Sequence, residues 1–155
     1  MSKKLKIEID ISGQIHQLNY DSALGFRREN GIEKSVYLRS KTKKGLIRKY
    51  KGQVTNLIEK LHCILIYFCI KDSLDNIEEI KICKDANFRK IKNLLPLLFK
   101  ENNYLNEVKI TSREGSEPKS SGHRIALRTF RRQKYANLLI NKNMIENMLF
   151  KFKRE

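Results

Sequence analysis

The sequence predicts an α/β domain in which a mixed sheet carries helices on both faces, and three observations predict it. The segment "LKIEIDIS" at 5–12 alternates strictly and opens a run of three strand-like segments separated by turn signals. Strand-like and helical segments then alternate toward the C-terminus. Between these two regions, residues 54–70 are apolar on two sides of a helix, a pattern that needs a sheet on one side and another helix on the other.

In the first segment Leu5, Ile7, Ile9 and Ile11 share one face, and Lys6, Glu8, Asp10 and Ser12 share the other. Turn signals at "NYDS" and "ENG" divide the next stretch into an antiparallel meander of about 5–18, 22–29 and 33–40. Val54, Leu57, Ile58, Leu61, Leu65 and Phe68 then form one helical stripe, and Cys63, Ile66 and Ile70 form a second. After an acidic loop with Asp72, Asp75, Glu78 and Glu79, a strand is expected at about 79–84 and a helix from about 86. Phe88, Ile91, Leu94 and Leu95 give that helix its apolar face, and Pro96 ends or kinks it. A strand at about 106–112, a Gly-, Ser- and Pro-containing loop at 113–123 and a helix from about 125 to 151 close the chain. No repeat or composition break divides it, so residues 1–155 are read as one domain.

The charge balance narrows the function. With 33 Lys plus Arg against 17 Asp plus Glu, the formal net charge is +16, an excess that attracts polyanions by releasing their counterions. Nucleic acid is the expected partner. From Lys34 to Ile58 there are eight basic residues and no acid, and from Lys119 to Ile145 seven and none. Solvated faces normally mix signs, which sets these two blocks apart. The first offers Lys41, Lys43, Lys44, Arg48, Lys49 and Lys51, and the second Lys119, Arg124, Arg128, Arg131, Arg132 and Lys134. In "RTFRRQKY", helical spacing puts Arg128, Arg131, Arg132 and Tyr135 on one side, a surface for tracking phosphates with an aromatic for stacking. The most apolar run, "LHCILIYFCI", is ten residues long, against the ~20 a membrane-spanning helix needs. "MSKKLKIEID" contains no apolar signal core, and Cys63, Cys69 and Cys83 lack C-x-x-C spacing. Reduced thiols, a cytoplasmic location and no membrane partner are therefore expected.

Three acids stand at element junctions: Asp10 in "IEIDISGQI", Glu59 in "VTNLIEKLHCIL" and Asp85 in "IKICKDANFRKI". With the order β-β-β-α-β-α-β-α, they resemble the ribonuclease H-like superfamily, which includes ribonuclease H, retroviral integrases, transposases and Holliday-junction resolvases. Asp10 resembles that family's first-strand carboxylate, Glu59 its first-helix glutamate and Asp85 the aspartate closing its fourth strand. The resemblance implies phosphodiester hydrolysis with Mg²⁺ or Mn²⁺ held by Asp10, Glu59 and Asp85, acting on an RNA/DNA hybrid, a duplex or branched DNA. The Gly-His pair of "SSGHR" resembles the family's mobile histidine loop, which implies a proton-transfer role for His123. The final helix departs from the pattern: residues 125–145 contain no acid, and Asn137 stands where the resemblance leads one to look for Asp. Chemistry points the same way as the three acids, because hard divalent cations in phosphoryl hydrolysis need carboxylate oxygens converging from separate elements.

Each residue also has a plainer reading. Asp85, just before "ANFRKI", suits a helix N-cap, Asp10 an exposed strand position and Glu59 a solvated helix acid. His16 and His62 have no partners at ligand spacing. If the acids do not act together, the charge leaves a non-catalytic nucleic-acid-binding subunit of a replication, recombination or RNA-processing complex, or a structural RNA-binding protein of ribosomal type.

Overall fold

The computed structural model describes residues 4–82, 87–99, 107–113 and 121–152. Strands β1 (Leu5–Ser12), β2 (Ser22–Arg28) and β3 (Glu33–Leu38) form the antiparallel meander. Helices α1 (Ser40–Tyr50) and α2 (Leu57–Ile70) follow, then strand β4 (Ile77–Ile82), helix α3 (Phe88–Leu94) with a 3-10 turn at Leu95–Phe99, and strand β5 (Lys109–Ser112). Helix α4 (Ser121–Arg131), a 3-10 turn at Gln133–Tyr135, the short strand β6 (Leu138–Leu139) and helix α5 (Lys142–Leu149) come last. One six-stranded sheet results, in the order β5-β4-β1-β2-β3-β6. Strand β4 runs parallel to β1, β5 to β4 and β6 to β3.

Strand register sorts the side chains onto two unlike faces. Ile7, Ile9 and Ile11 pair with Arg28, Phe26 and Leu24, and Ile7 and Ile9 also pair with Ile80 and Ile82, which makes a nearly continuous apolar face. Helix α2 covers it, and its Leu61, Ile64, Leu65 and Ile66 are all fully buried, each contributing ~1.5–3 kcal/mol of burial. The other side of α2 packs on α3 and α5, so the two-sided apolar pattern has the sandwich it requires. Cys63 and Cys69 are free, buried thiols, while Cys83 lies outside the described residues. No helix among the described residues is long and apolar enough to cross a membrane.

Four expectations change. Strand β1 stops at Ser12 instead of running to 18, because Gly13 turns the chain with a φ of 76°, and a Cβ there would lie 2.1 Å from the Asp21 carbonyl oxygen. Residues 40–50, unassigned from the sequence, form α1. Its inward row is Lys43, Leu46, Ile47 and Tyr50, and the Lys at the first of these positions disguises an i, i+3, i+4, i+7 stripe. Lys43 is thereby removed from the basic surface. Its side chain is fully buried, and Nζ donates to the Gln14 carbonyl at 3.1 Å, the Gln17 carbonyl at 2.9 Å and Ser22 Oγ at 2.9 Å, pinning the loop after β1. The predicted helix 125–151 is broken into α4, β6 and α5. Asn137 causes the break by accepting from Ser35 N at 2.8 Å and donating its own N–H to the Ser35 carbonyl, which ties the chain to β3, and Asn141 restarts the helix as an N-cap bonded by Met144 N.

Candidate active site and nucleic-acid interface

The second face of the sheet is polar. Asp10 pairs with Gly25, and Gly25 with Ser35, so the three form a row across β1, β2 and β3. Helix α4 lies over this row, with Thr129 donating to Ser35 Oγ at 2.7 Å. Two glycines let it come so close. A Cβ on Gly25 would stand 2.7 Å from Ala126 N, and one on Gly122 would stand 2.7 Å from the Glu8 carbonyl oxygen, 2.9 Å from that of Gly25 and 3.2 Å from Asp10 N. Sequence reasoning missed Gly25, although a glycine inside a strand signals close backbone approach, and read Gly122 only as part of a Gly-His loop.

The close contact brings Asp10 and His123 together. Asp10 is 4% exposed; its Oδ1 accepts from Ile11 N at 2.8 Å, and its Oδ2 lies 3.0 Å from His123 Nδ1. An ionised carboxylate only accepts, so in this contact the donor is the imidazole Nδ1. His123 was expected in a mobile loop, but it stands in the first turn of α4, which begins at Ser121. A strand carboxylate fixing the tautomer and orientation of a helix histidine can act in proton transfer or offer two donors to a cation.

Glu59 sits elsewhere. It is on α2, over the apolar face, with its carboxylate 3.8 Å from Lys90 Nζ and its side chain 16% exposed. It lines a cavity of about 210 Å³ with Gln14, Ile15, His16, Ile58, His62 and Asn87. Burial, aided by the Glu59 charge, pushes the nearby Cys63 thiol well above its ordinary range, so that thiol is inert. Asp85 lies outside the described residues. Around it, Ile82 is placed beside Ile9, next to Asp10 in β1, and Asn87 is in the wall of the Glu59 cavity. The N-cap of α3 is Asn87, which accepts from Lys90 N, so the capping role read for Asp85 is filled by another residue. Among the described residues, no group of three or more His, Cys, Asp or Glu is placed to hold a metal ion.

The two basic blocks meet at the β3 end of the sheet. Lys41, Lys44, Arg48 and Lys51 are exposed in one stripe along α1 and its C-cap, while the exposed Lys49 is drawn to Glu146 at 2.6 Å. Arg39, just before α1, donates from Nε to Gln133 Oε1 at 3.3 Å, which joins the start of this stripe to the end of α4. Along α4 and the turn after it, Arg124, Leu127, Arg128, Arg131, Arg132 and Tyr135 line a cavity of about 320 Å³. Lys134 stands beside this cavity, its Nζ 5.4 Å from the Tyr135 ring centre, and Lys119 lies outside the described residues. A scan of protein-family models and a search of curated proteins give no match to this chain.

Proposed function

We propose that this protein is a ribonuclease H-like nuclease that hydrolyses phosphodiester bonds with Mg²⁺ or Mn²⁺, with Asp10 and His123 at the centre of its site. The observation that carries the reading is the buried Asp10 carboxylate in contact with His123, at the start of a helix whose outer face is lined with arginines. The antiparallel meander followed by parallel β4 and β5, with helices on both faces, supports the family resemblance.

Asp10 supplies a hard carboxylate oxygen of the kind Mg²⁺ or Mn²⁺ takes. One carboxylate is too few for Mg²⁺; the resemblance would add Asp85, whereas Glu59 lies over the other face of the sheet beside Lys90. When bound, the ion would polarise a phosphoryl oxygen and lower the pKa of a bound water. His123, held by Asp10 through Nδ1, takes up or delivers a proton at Nε2, at the attacking water or the leaving oxygen. The exposed lysines and arginines of α1 and α4 hold the strand by its phosphates.

A second reading, the non-catalytic binding subunit, is favoured by one observation. Glu59 is already neutralised by Lys90, and Lys90 is held in turn by Asn56 Oδ1 at 2.9 Å. Cleavage of hybrid, duplex and branched substrates with and without Mn²⁺, beside thermal melts, separates the two. The nuclease reading expects metal-dependent cleavage that Asp10→Asn and Asp85→Asn each reduce at least ~100-fold, the scale of losing an anionic ligand or its orienting partner, together with a metal-induced rise in Tm that both variants lose. Full activity in Asp85→Asn, or a wild type with neither metal-dependent cleavage nor metal stabilisation, leaves the binding subunit.

A further inference from the structure

Resting on the nucleic-acid reading above, we infer that the cavity on the outer face of α4 receives one unpaired nucleotide of the bound strand, so that the substrate is single-stranded beside the site at Asp10 and His123. The lining is Arg124, Leu127, Arg128, Arg131, Arg132 and Tyr135, with no acid among them. Leu127 and Tyr135 are its apolar surfaces, and Tyr135 is 42% exposed. The Arg128 guanidinium carbon lies 5.2 Å from the Tyr135 ring centre, and Glu33 holds Arg128 from outside the cavity at 3.7 Å.

A surface that only tracks duplex phosphates needs cations and hydrogen-bond donors, because the base faces are hidden in the stack. This cavity adds an aromatic ring that is 42% exposed and a guanidinium beside it, and unpaired bases stack on both kinds of surface. At about 320 Å³ it is near the small end of ligand cavities, enough for one nucleotide with its phosphate among the arginines. Charge complementarity fixes the sign of the occupant, and the aromatic face fixes its exposed base.

The placement relative to His123 follows from the helix. Gly122, Ile125, Ala126 and Thr129 are the buried row of α4 against the sheet, Arg124, Arg128 and Arg131 are the exposed row, and His123 lies half-buried between them. From His123 to Arg131 the helix rises ~12 Å at ~1.5 Å per residue. That distance matches three to four nucleotides at ~3.4 Å each, and fewer if the strand is extended. The bound strand therefore runs along α4 from the Asp10–His123 pair to Tyr135.

The test is binding in EDTA, where no cleavage occurs, read by fluorescence anisotropy with labelled oligothymidylate, oligouridylate and a blunt DNA duplex. Tyr135→Ala should weaken the single strands about fivefold or more, in line with the ~1–3 kcal/mol a stacked base loses on alanine substitution. Duplex binding should change by less than about twofold, and Tyr135→Phe should bind both as the wild type does. Tyr135→Leu keeps the apolar bulk without the π face, so it should behave as Tyr135→Ala and covers the case in which the alanine variant does not fold. Equal losses on duplex and single strand, or no loss on either single strand, overturn the inference. So does a wild type that binds none of the three probes, an outcome that also removes the nucleic-acid reading. Selective single-strand loss in a protein without metal-dependent cleavage supports the inference and overturns the nuclease reading alone.

Discussion

Replacing Gly122 by Ala should separate the packing of α4 from the chemistry it positions. The added methyl would sit 2.7 Å from the Glu8 carbonyl oxygen and 2.9 Å from that of Gly25, both backbone atoms that cannot rotate aside. Ordinary contact begins at ~3.5 Å, so α4 must lift by about 0.8 Å from β1 and β2. Overpacking of this kind costs ~1–3 kcal/mol, partly offset by up to ~1 kcal/mol because Ala favours the helix more than Gly. The net loss should lower Tm by about 2–8 °C in a domain of this size. The same lift would stretch the 3.0 Å contact between His123 and Asp10 past hydrogen-bonding range. Gly45→Ala is the control: it sits inside α1 with nothing within 4 Å of its Cβ position, so it should raise stability by ~0.5–1 kcal/mol and leave the imidazole unchanged. Thermal and urea melts measure stability, and the ¹⁵N shifts of His123 report whether Nδ1 keeps its proton. A Gly122→Ala protein as stable as the wild type, with an unaltered His123 signal, would refute the close-packing argument.

Three further outcomes follow from the same structure. Burial pushes the Lys43 ammonium down from 10.5 to about 8, against the pull of Asp21, so the unfolded chain holds the extra proton between those values and stability should climb with pH across that window, by at most about 3 kcal/mol. Burial and the hydrogen bond to Asp21 push Tyr37 up from 10 to about 12, so its contribution is present below pH 10 and lost as pH rises toward 12. Lys43→Met should abolish the climb in urea melts run at stepped pH and keep the later fall. Replacing Lys41, Lys44 and Arg48 by Ala should flatten the log-log salt dependence of duplex binding by ~0.9 for each phosphate no longer neutralised, and an unchanged slope would take α1 out of the interface. Asn137→Ala should cost ~0.5–1.5 kcal/mol by removing the acceptor for Ser35 N, while any metal-dependent activity per folded molecule stays intact; selective loss of activity would return Asn137 to the site.

What was legible in the sequence is what repeats. The alternation of Ile7, Ile9 and Ile11 and the double stripe of α2 were readable because many side chains vote together, and both elements form, although β1 ends at Ser12 and α2 begins at Leu57. Single residues acting alone were not readable. Lys43 in a core position hid α1, Gly13 cut β1 short, and the two bonds between Asn137 and Ser35 broke a helix that periodicity alone continued. The site shows the same division. Asp10 could be set apart from Glu8 in the same polar row only by the family resemblance, and its partner was set by Gly25 and Gly122, whose contribution is the absence of a side chain and leaves no periodic trace.

The arrangement of charge gives Asp10 a different standing from the other acids. In this cation-rich chain, Asp75 holds Arg28, Glu79 holds Lys6, Glu146 holds Lys49 and Glu59 holds Lys90, so these carboxylates are matched by structural bases. Among the described residues, Asp10 has no Lys or Arg within salt-bridge distance although it is 4% exposed; its carboxylate meets one backbone N–H and one imidazole. A buried carboxylate without a full counter-charge is costly, and a fold with so many lysines and arginines had ample means to neutralise it. The polar face of the sheet thus holds this carboxylate beneath a helix whose outer side carries arginines. A phosphate held by that helix would bring its backbone past the one buried acid that, among the described residues, no Lys or Arg matches, which is where a divalent ion has the most to gain.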